Sequence, residues 1–263
     1  MIVDLGGLRT LVSGSSRGIG RVIAAKLASC GAIVGINGRS PEAVAVAVAE
    51  LERTAPGTYF AAPGDLTTAA GAEAVIAASG DLDILVANAG IYEKLDLFEI
   101  TDEQWLQAFN DNVLSGVRLA RHYAPRMKAK GWGRILFIGS NVGIVPSVDL
   151  PAYSAAKAAQ ASVARSFAEA LKFSGVTVNT LVVGPTAVPD RKDERTAVAK
   201  AEGLTLDEHY TKRLIEGFPT SVIGRYVEAA ELAELAAFVV SREASATTGA
   251  AWRAEGGILQ HIG

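Results

Sequence analysis

Short apolar runs alternating with longer, Ala-rich runs of helical spacing constrain this chain more than any other feature. Residues 10–12, 32–36, 59–61, 82–87, 134–138, 176–183 and 251–254 read as strands, the third being the weakest. Helices are predicted over about 18–30, 41–53, 67–79, 101–128, 152–173 and 227–240. Ser40 stands as an N-cap before Pro41, which suits a first helical turn, and Thr101 precedes Glu103 and Gln104 in the same way. Strands alternating with crossover helices make a parallel sheet covered on both faces. The fold class is therefore α/β, a doubly wound parallel sheet of about seven strands with helices on both faces.

At 263 residues, 49% hydrophobic and 20% charged, the chain suits a single domain spanning 1–263, with no repeat or linker dividing it. Cys30 is the only cysteine, which excludes an intramolecular disulfide or a cysteine metal cluster and fits a reducing cytoplasm. A net charge of -3 predicts no affinity for nucleic acid or membrane. The opening MIVDLGGLRT has no basic region followed by an apolar run, and no stretch approaches the roughly 20 residues of a membrane span. His122, His209 and His261 are widely spaced and form no metal-ligand pattern, so no metal is expected. His209 reads as solvated.

Residues 185–222 depart from the alternation. They are polar, contain Pro185, Pro189 and Pro219, and follow the carboxyl end of a strand, where ligands bind in open α/β sheets. A long segment there reads as a substrate lid; the alternative is a solvated helical insertion.

The first strand runs into Ser13-Gly14-Ser15-Ser16-Arg17-Gly18-Ile19-Gly20. Glycines let the backbone turn sharply and approach a pyrophosphate, whose charge faces the positive end of the next helix. Ser13, Ser15 and Ser16 add hydroxyl donors. After the second strand, where NAD sites place an acid against the ribose, the chain reads Asn37-Gly38-Arg39-Ser40. The missing carboxylate, with Arg39 and Arg17 near a 2′-phosphate, favours NADP(H) over NAD(H).

Tyr153-Ser154-Ala155-Ala156-Lys157 puts a phenol and an ammonium four residues apart on one helical face. A free phenol titrates near about 10, so acid/base work at neutral pH needs about 4 kcal/mol of phenolate stabilisation. A cation at about 4 Å supplies a Coulomb term of that size.

Gly14-x-x-x-Gly18-x-Gly20, Asn88-Ala89-Gly90, Asn112, Ser140 and the Tyr153/Lys157 pair follow one another in an order and spacing that resemble the short-chain dehydrogenase/reductase family. The similarity runs from Leu8 to about Gly257 and implies a Rossmann-like sheet. It implies that Gly14, Ser16, Arg17, Gly18, Ile19 and Gly20 form the cofactor loop, and that Asp65 and Leu66 lie beside the adenine. Asn88, Ala89 and Gly90 line the cofactor. Asn112 helps hold a water relay to the lysine, and Ser140 hydrogen-bonds the substrate oxygen. Tyr153 donates the proton, and Lys157 depresses its pKa and binds the nicotinamide ribose. Gly184 and Thr186 reach the nicotinamide end, and the cofactor supplies the hydride.

Some positions depart from the family. Ser13 stands where threonine is usual, Ala87 precedes Asn88, and Val183-Gly184 replaces Pro-Gly. Val188 occupies the position of a nicotinamide-contacting threonine, leaving Thr186 as the substitute. The reading is an NADP(H)-dependent oxidoreductase interconverting a small-molecule carbonyl and alcohol. Two alternatives stay open: a 3-oxoacyl-thioester reductase, and a non-catalytic NADP-binding sensor or interaction subunit. Arg118, Arg121, Arg126, Lys128 and Lys130 could face an acidic carrier, or merely complement a helix dipole in solvent. The resemblance further implies a homotetramer.

Overall fold

A computed structural model describes residues 3–261 of the chain. The elements begin with β1 (Arg9–Val12), α1 (Gly18–Ser29), β2 (Ile33–Ile36), α2 (Pro41–Thr54), β3 (Thr58–Ala61) and α3 (Ala69–Ser79). They continue through β4 (Ile84–Ala87), α4 (Asp102–Phe109), a π-helical turn (Asn110–Leu114), α5 (Ser115–Lys130) and β5 (Gly133–Ser140). Next come α6 (Pro151–Ala170), β6 (Val176–Val183), β7 (Thr186–Ala187), α7 (Lys192–Ala201) and α8 (Leu206–Gly217). The chain closes with β8 (Val227–Glu228), α9 (Ala229–Val239) and β9 (Ala251–Ala254).

Seven strands form one parallel sheet in the order β3-β2-β1-β4-β5-β6-β9, the doubly wound, Rossmann-like arrangement. Alternate strand residues feed opposite cores, as the two-residue period of a strand requires. Val12, Val34 and Val86 meet Ile23 and Leu27 of α1, Val44 of α2 and Leu232 of α9. Leu11, Leu85 and Phe137 meet Val75 of α3, Leu119 and Tyr123 of α5 and Ala164 of α6. Each fully buried Leu, Ile or Val contributes about 1.5–3 kcal/mol. A polar group at Leu85 or Val86 would therefore lose that term and stand unpaired in the sheet.

The chain winds outward through β1, β2 and β3, then returns to lay β4 beside β1. Val12 pairs with both Ile36 and Val86, so the loops leaving β1, β2 and β4 start level at one end of the sheet. Reversal of strand order opens a crevice there, and ligands bind in such crevices.

Two segments differ from the sequence expectation. The helix expected over 101–128 is divided by the π-helical turn, where Asn112 Nδ2 donates to Ala108 O at 2.9 Å. A side-chain donor has entered the helical ladder, a recognised cause of such distortions. The helix expected over 227–240 starts only at Ala229, because Val227 and Glu228 pair with Thr186 and Ala187 as β8 and β7. That pairing joins the two ends of the polar insertion, whose interior folds as α7 and α8.

Candidate active site

The crevice is built from the ends of β1, β2 and β4. Ser13 Oγ accepts from the amides of Asn88 and Ala89, both at 2.9 Å, while Asn88 Nδ2 donates to Ser13 O at 2.8 Å. Asn37, 2% exposed, takes the Gly14 amide on Oδ1 at 3.0 Å and donates to Ala62 O at 2.9 Å. Asn37 thus fastens three strand ends together. The sequence drew attention to Asn37 only through the acid missing beside it. Ser15 Oγ donates to Val12 O and accepts from Asn37 N, so it and Ser13 are committed to the backbone. Only Ser16 of the three predicted hydroxyls stays half-buried at the loop.

Gly14 and Gly18 have φ of +62° and +70°, which disfavours any side chain there. A Cβ on Gly20 would lie 2.4 Å from Asn88 Nδ2, so glycine is needed where Ile19 and Gly20 begin α1 against this loop. The first turn of α1 has no acidic residue, and Arg17 at its N-cap makes no capping hydrogen bond. Instead the Gly18 amide donates to Asp190 Oδ2 at 2.6 Å. A carboxylate thus stands at the helix end where the sequence predicts a pyrophosphate, so the loop's donors suit an anion.

Beyond β2, a Cβ on Gly38 would meet Ser16 Oγ at 2.8 Å and Val44 Cγ2 at 3.2 Å. Arg17 and Arg39 are exposed, and neither joins an ion pair among the described residues. Asp65 Oδ1 accepts from Thr67 N at 3.0 Å and from Thr67 Oγ1 at 2.8 Å. The Leu66 side chain lies in the core, and its carbonyl is taken by Arg118 at 2.8 Å.

Gly90 brings the loop after β4 against the second half of the site. A Cβ there would lie 2.6 Å from Asn112 Oδ1 and 3.5 Å from Lys157 Nζ. Asn112 is fully buried, exchanging hydrogen bonds with Ile91 N at 3.2 Å and Ile91 O at 2.9 Å. Ser140 closes β5, its Oγ accepting from Val142 N at 3.4 Å. Lys157, 4% exposed, donates to Ile138 O at 2.8 Å and Gln160 Oε1 at 3.2 Å, and its Nζ stands 5.6 Å from the Tyr153 ring centroid.

The electrostatics depart from the Coulomb argument. Burial pushes the Tyr153 phenol up to about 12, with the neighbouring Ser140 hydroxyl pulling it back only in part. Burial alone pushes Lys157 down to about 7. The ammonium donates to the Ile138 carbonyl and the Gln160 amide, and for both groups the cost of burial outweighs attraction.

Beyond β6 a Cβ on Gly184 would lie 2.8 Å from Glu255 O, and Thr186 Oγ1 donates to Gly184 O at 2.8 Å. Tyr92 tilts against Tyr153 at 5.9 Å between ring centroids, and Arg191 Nη1 donates to Tyr92 Oη at 3.2 Å. Neither Tyr92, Arg191 nor Asp190 carries a motif in sequence; only the fold brings the insertion here. His209 is 1% exposed with Nδ1 3.3 Å from Glu202 Oε2, so it is buried in the insertion rather than solvated.

The basic cluster is dispersed. Arg118 binds Leu66 O and Asn110 Oδ1, Arg126 approaches Asp81 at 3.7 Å, and Lys130 meets Asp83 at 3.0 Å. A cavity of about 700 Å³ lined by Trp132, Arg134 and Arg242 lies around the opposite, amino ends of β5 and β6. There the Arg134 guanidinium is spent on Ser241 O, Gly133 O and Gly175 O. Among the described residues no helix is long and apolar enough to cross a membrane, and no three His, Cys, Asp or Glu gather as metal ligands.

The chain is 39% identical to the uncharacterised oxidoreductase YvaG of Bacillus subtilis over 263 residues, all of both chains. It is 33% identical to the 3-oxoacyl-acyl-carrier-protein reductase of Escherichia coli, covering 96% of this chain and 97% of that one. The crystal structure of L-sorbose reductase from Gluconobacter frateurii, complexed with NADPH and L-sorbose, superposes with a TM-score of 0.90 at 28% identity over 100% of both chains. Residues 9–199 match the family model of the short chain dehydrogenases. That match takes in the glycine loop, the Asn88 segment, Asn112, Ser140, Tyr153 and Lys157, and the chain belongs to the short-chain dehydrogenase/reductase family of oxidoreductases.

Proposed function

We propose that this oxidoreductase interconverts a small-molecule carbonyl and alcohol with NADP(H), Tyr153 serving as the acid/base. One observation carries the reading: Ser140, Tyr153 and Lys157 meet against the Gly90 loop, which packs on the glycine loop through Ala89, while the guanidiniums of Arg17 at the N-cap of α1 and Arg39 beyond β2 join no ion pair among the described residues. The pyrophosphate is held by the loop from Gly14 to Gly20 and the α1 terminus, as the Asp190 carboxylate at Gly18 supports. Arg17 and Arg39 would hold the 2′-phosphate and Asp65 the adenine side, while Asn88, Ala89, Gly90, Gly184 and Thr186 would line the rest; the Leu66 side chain is taken up by the core. The dinucleotide supplies or accepts the hydride when bound. The NADPH named with the L-sorbose reductase supports the same cofactor.

In reduction, Ser140 Oγ donates a hydrogen bond to the carbonyl oxygen and stabilises the charge that develops there. Tyr153 then passes its proton to that oxygen. A phenol pushed up to about 12 holds its proton at neutral pH, which is the form reduction requires. Lys157 and Asn112 hold the ribose side of the site. Residues 185–222 act as a lid within a single domain, supported by the Arg191 contact to Tyr92, which packs against Tyr153. The exposed Phe98 and Leu106 support a homotetramer, for which light scattering is the test, and Cys30 as the only cysteine suits the cytoplasm.

The deciding experiment follows NADPH and NADH oxidation with ketones, aldehydes and a 3-oxoacyl thioester. Turnover of free carbonyls with NADPH supports the proposal. Turnover of the thioester alone supports the second reading, which rests on the 33%-identical Escherichia coli reductase. Dinucleotide binding without any turnover would sink catalysis in favour of the sensor.

A further inference from the structure

We propose that Gln160 is a positioning residue for Lys157, tying the ammonium to the main-chain carbonyl of Asn112 through its side-chain amide. The inference rests on the catalytic reading of Lys157. Gln160 lies one helical turn beyond Lys157 on α6 and is 1% exposed. Its Oε1 accepts from Lys157 Nζ at 3.2 Å, and its Nε2 donates to Asn112 O at 2.7 Å. The amide has only one workable orientation, because an ammonium has no acceptor and a carbonyl has no donor. A buried amide with both ends engaged fixes its neighbours, since breaking either bond leaves an unpaired polar group.

The consequence is chemical as well as geometric. The resemblance implies a water relay from this lysine to solvent, which this asparagine helps hold. An amide bonds at each end but passes no proton through itself, so this link anchors the ammonium without carrying its proton to solvent. The π-helical turn contributes, because it presents the Asn112 carbonyl to α6 while the Asn112 side chain is held by Ala108 and Ile91. The ammonium is faced by Ile138 O from β5, Gly90 from the loop after β4, and Tyr153 from its own helix. Of these groups only Tyr153 titrates. Gln160 is thus the side-chain acceptor that holds the charged form of Lys157 in a site where burial opposes it.

Two variants test this, Gln160→Leu and the isosteric Gln160→Glu. The first readout is the Lys157 titration midpoint, from ¹³Cε-lysine NMR assigned with Lys157→Arg. The second is the pH profile of kcat together with KM for NADPH. Gln160→Leu removes an acceptor, so the midpoint falls by about one pH unit and KM rises about 5-fold. Gln160→Glu places a carboxylate against the ammonium, so the midpoint rises. If Gln160→Leu does not fold, Gln160→Met, which keeps the length of the side chain but loses both the acceptor and the donor, decides by the same fall of the midpoint. Unchanged midpoints with only a lowered melting temperature would mean a packing role and overturn the proposal. A parent chain that oxidises no NADPH would count against the proposed function alone, because the midpoint readout needs no turnover.

Discussion

The Asp190 carboxylate accepts a 2.6 Å hydrogen bond from the Gly18 amide, although 172 residues separate the two in sequence. The first turn of α1 has no acid of its own, so the insertion supplies the negative charge that the helix end attracts. A bound pyrophosphate would claim the same amide. Two anions at one helix end repel, so dinucleotide binding and this contact oppose each other. Asp190→Asn is expected to tighten NADPH binding about 2- to 5-fold, the equivalent of a terminal charge worth about 0.3–1 kcal/mol. Fluorescence titration at low and high salt checks it, with the gain shrinking as salt rises. Weaker binding in the variant would mean that Asp190 assists the cofactor rather than competing with it.

Arg39 is exposed beyond β2 with no ion pair among the described residues, and no carboxylate fits at Gly38 without displacing Ser16. Charge-assisted hydrogen bonds contribute about 1.5–3 kcal/mol. Arg39→Ala should therefore lower kcat/KM for NADPH roughly 10- to 100-fold while leaving NADH nearly unchanged. Parallel steady-state measurements with both dinucleotides decide the matter. Equal losses for the two would remove Arg39 from 2′-phosphate recognition.

The seven-strand sheet was legible because its strands are continuous apolar runs, as Ile84–Ala87 illustrates with every residue buried. The π-helical turn was not, since one wide turn inside 101–128 barely disturbs a helical period. Tyr153 and Lys157 were legible as a pair, but not the direction of the ammonium. Spacing places two side chains on a face without saying that Ile138 O and Gln160 will capture one of them. Gln160 resembles any polar residue on an Ala-rich helix until Asn112 O is brought to it by the fold. The Asp190 contact is less legible still, because it depends on how the whole insertion is carried back to the first loop.

Tyr153→Phe removes one hydroxyl from a ring that stays packed against Tyr92. General acid catalysis contributes about 10²–10⁴ in rate, so kcat should fall by about that factor. NADPH affinity should hold within about 3-fold, since a lost neutral hydrogen bond contributes little. Stopped-flow turnover paired with a binding titration separates the two quantities. Retention of near-parental kcat would exclude Tyr153 as the proton donor.

Lys157 links catalysis to stability through pH. Its folded pKa of about 7 lies below the ordinary 10.5, with burial as the cause. Below about 7 both folded and unfolded chains hold the proton, and the fold bears the full cost of the buried ammonium. Between about 7 and 10.5 the folded chain has released the proton while the unfolded chain retains it, so stability rises with pH across that window. Tyr153 acts in the opposite sense only above 10, where its raised pKa makes the unfolded chain ionise first. Lys157→Met abolishes the first effect. Between pH 7 and 10 the parent should therefore gain stability relative to the variant, by about 3 to 4 kcal/mol. Urea denaturation at one-unit pH steps measures this, and parallel curves for the two proteins would show that Lys157 titrates in the fold as it does in water.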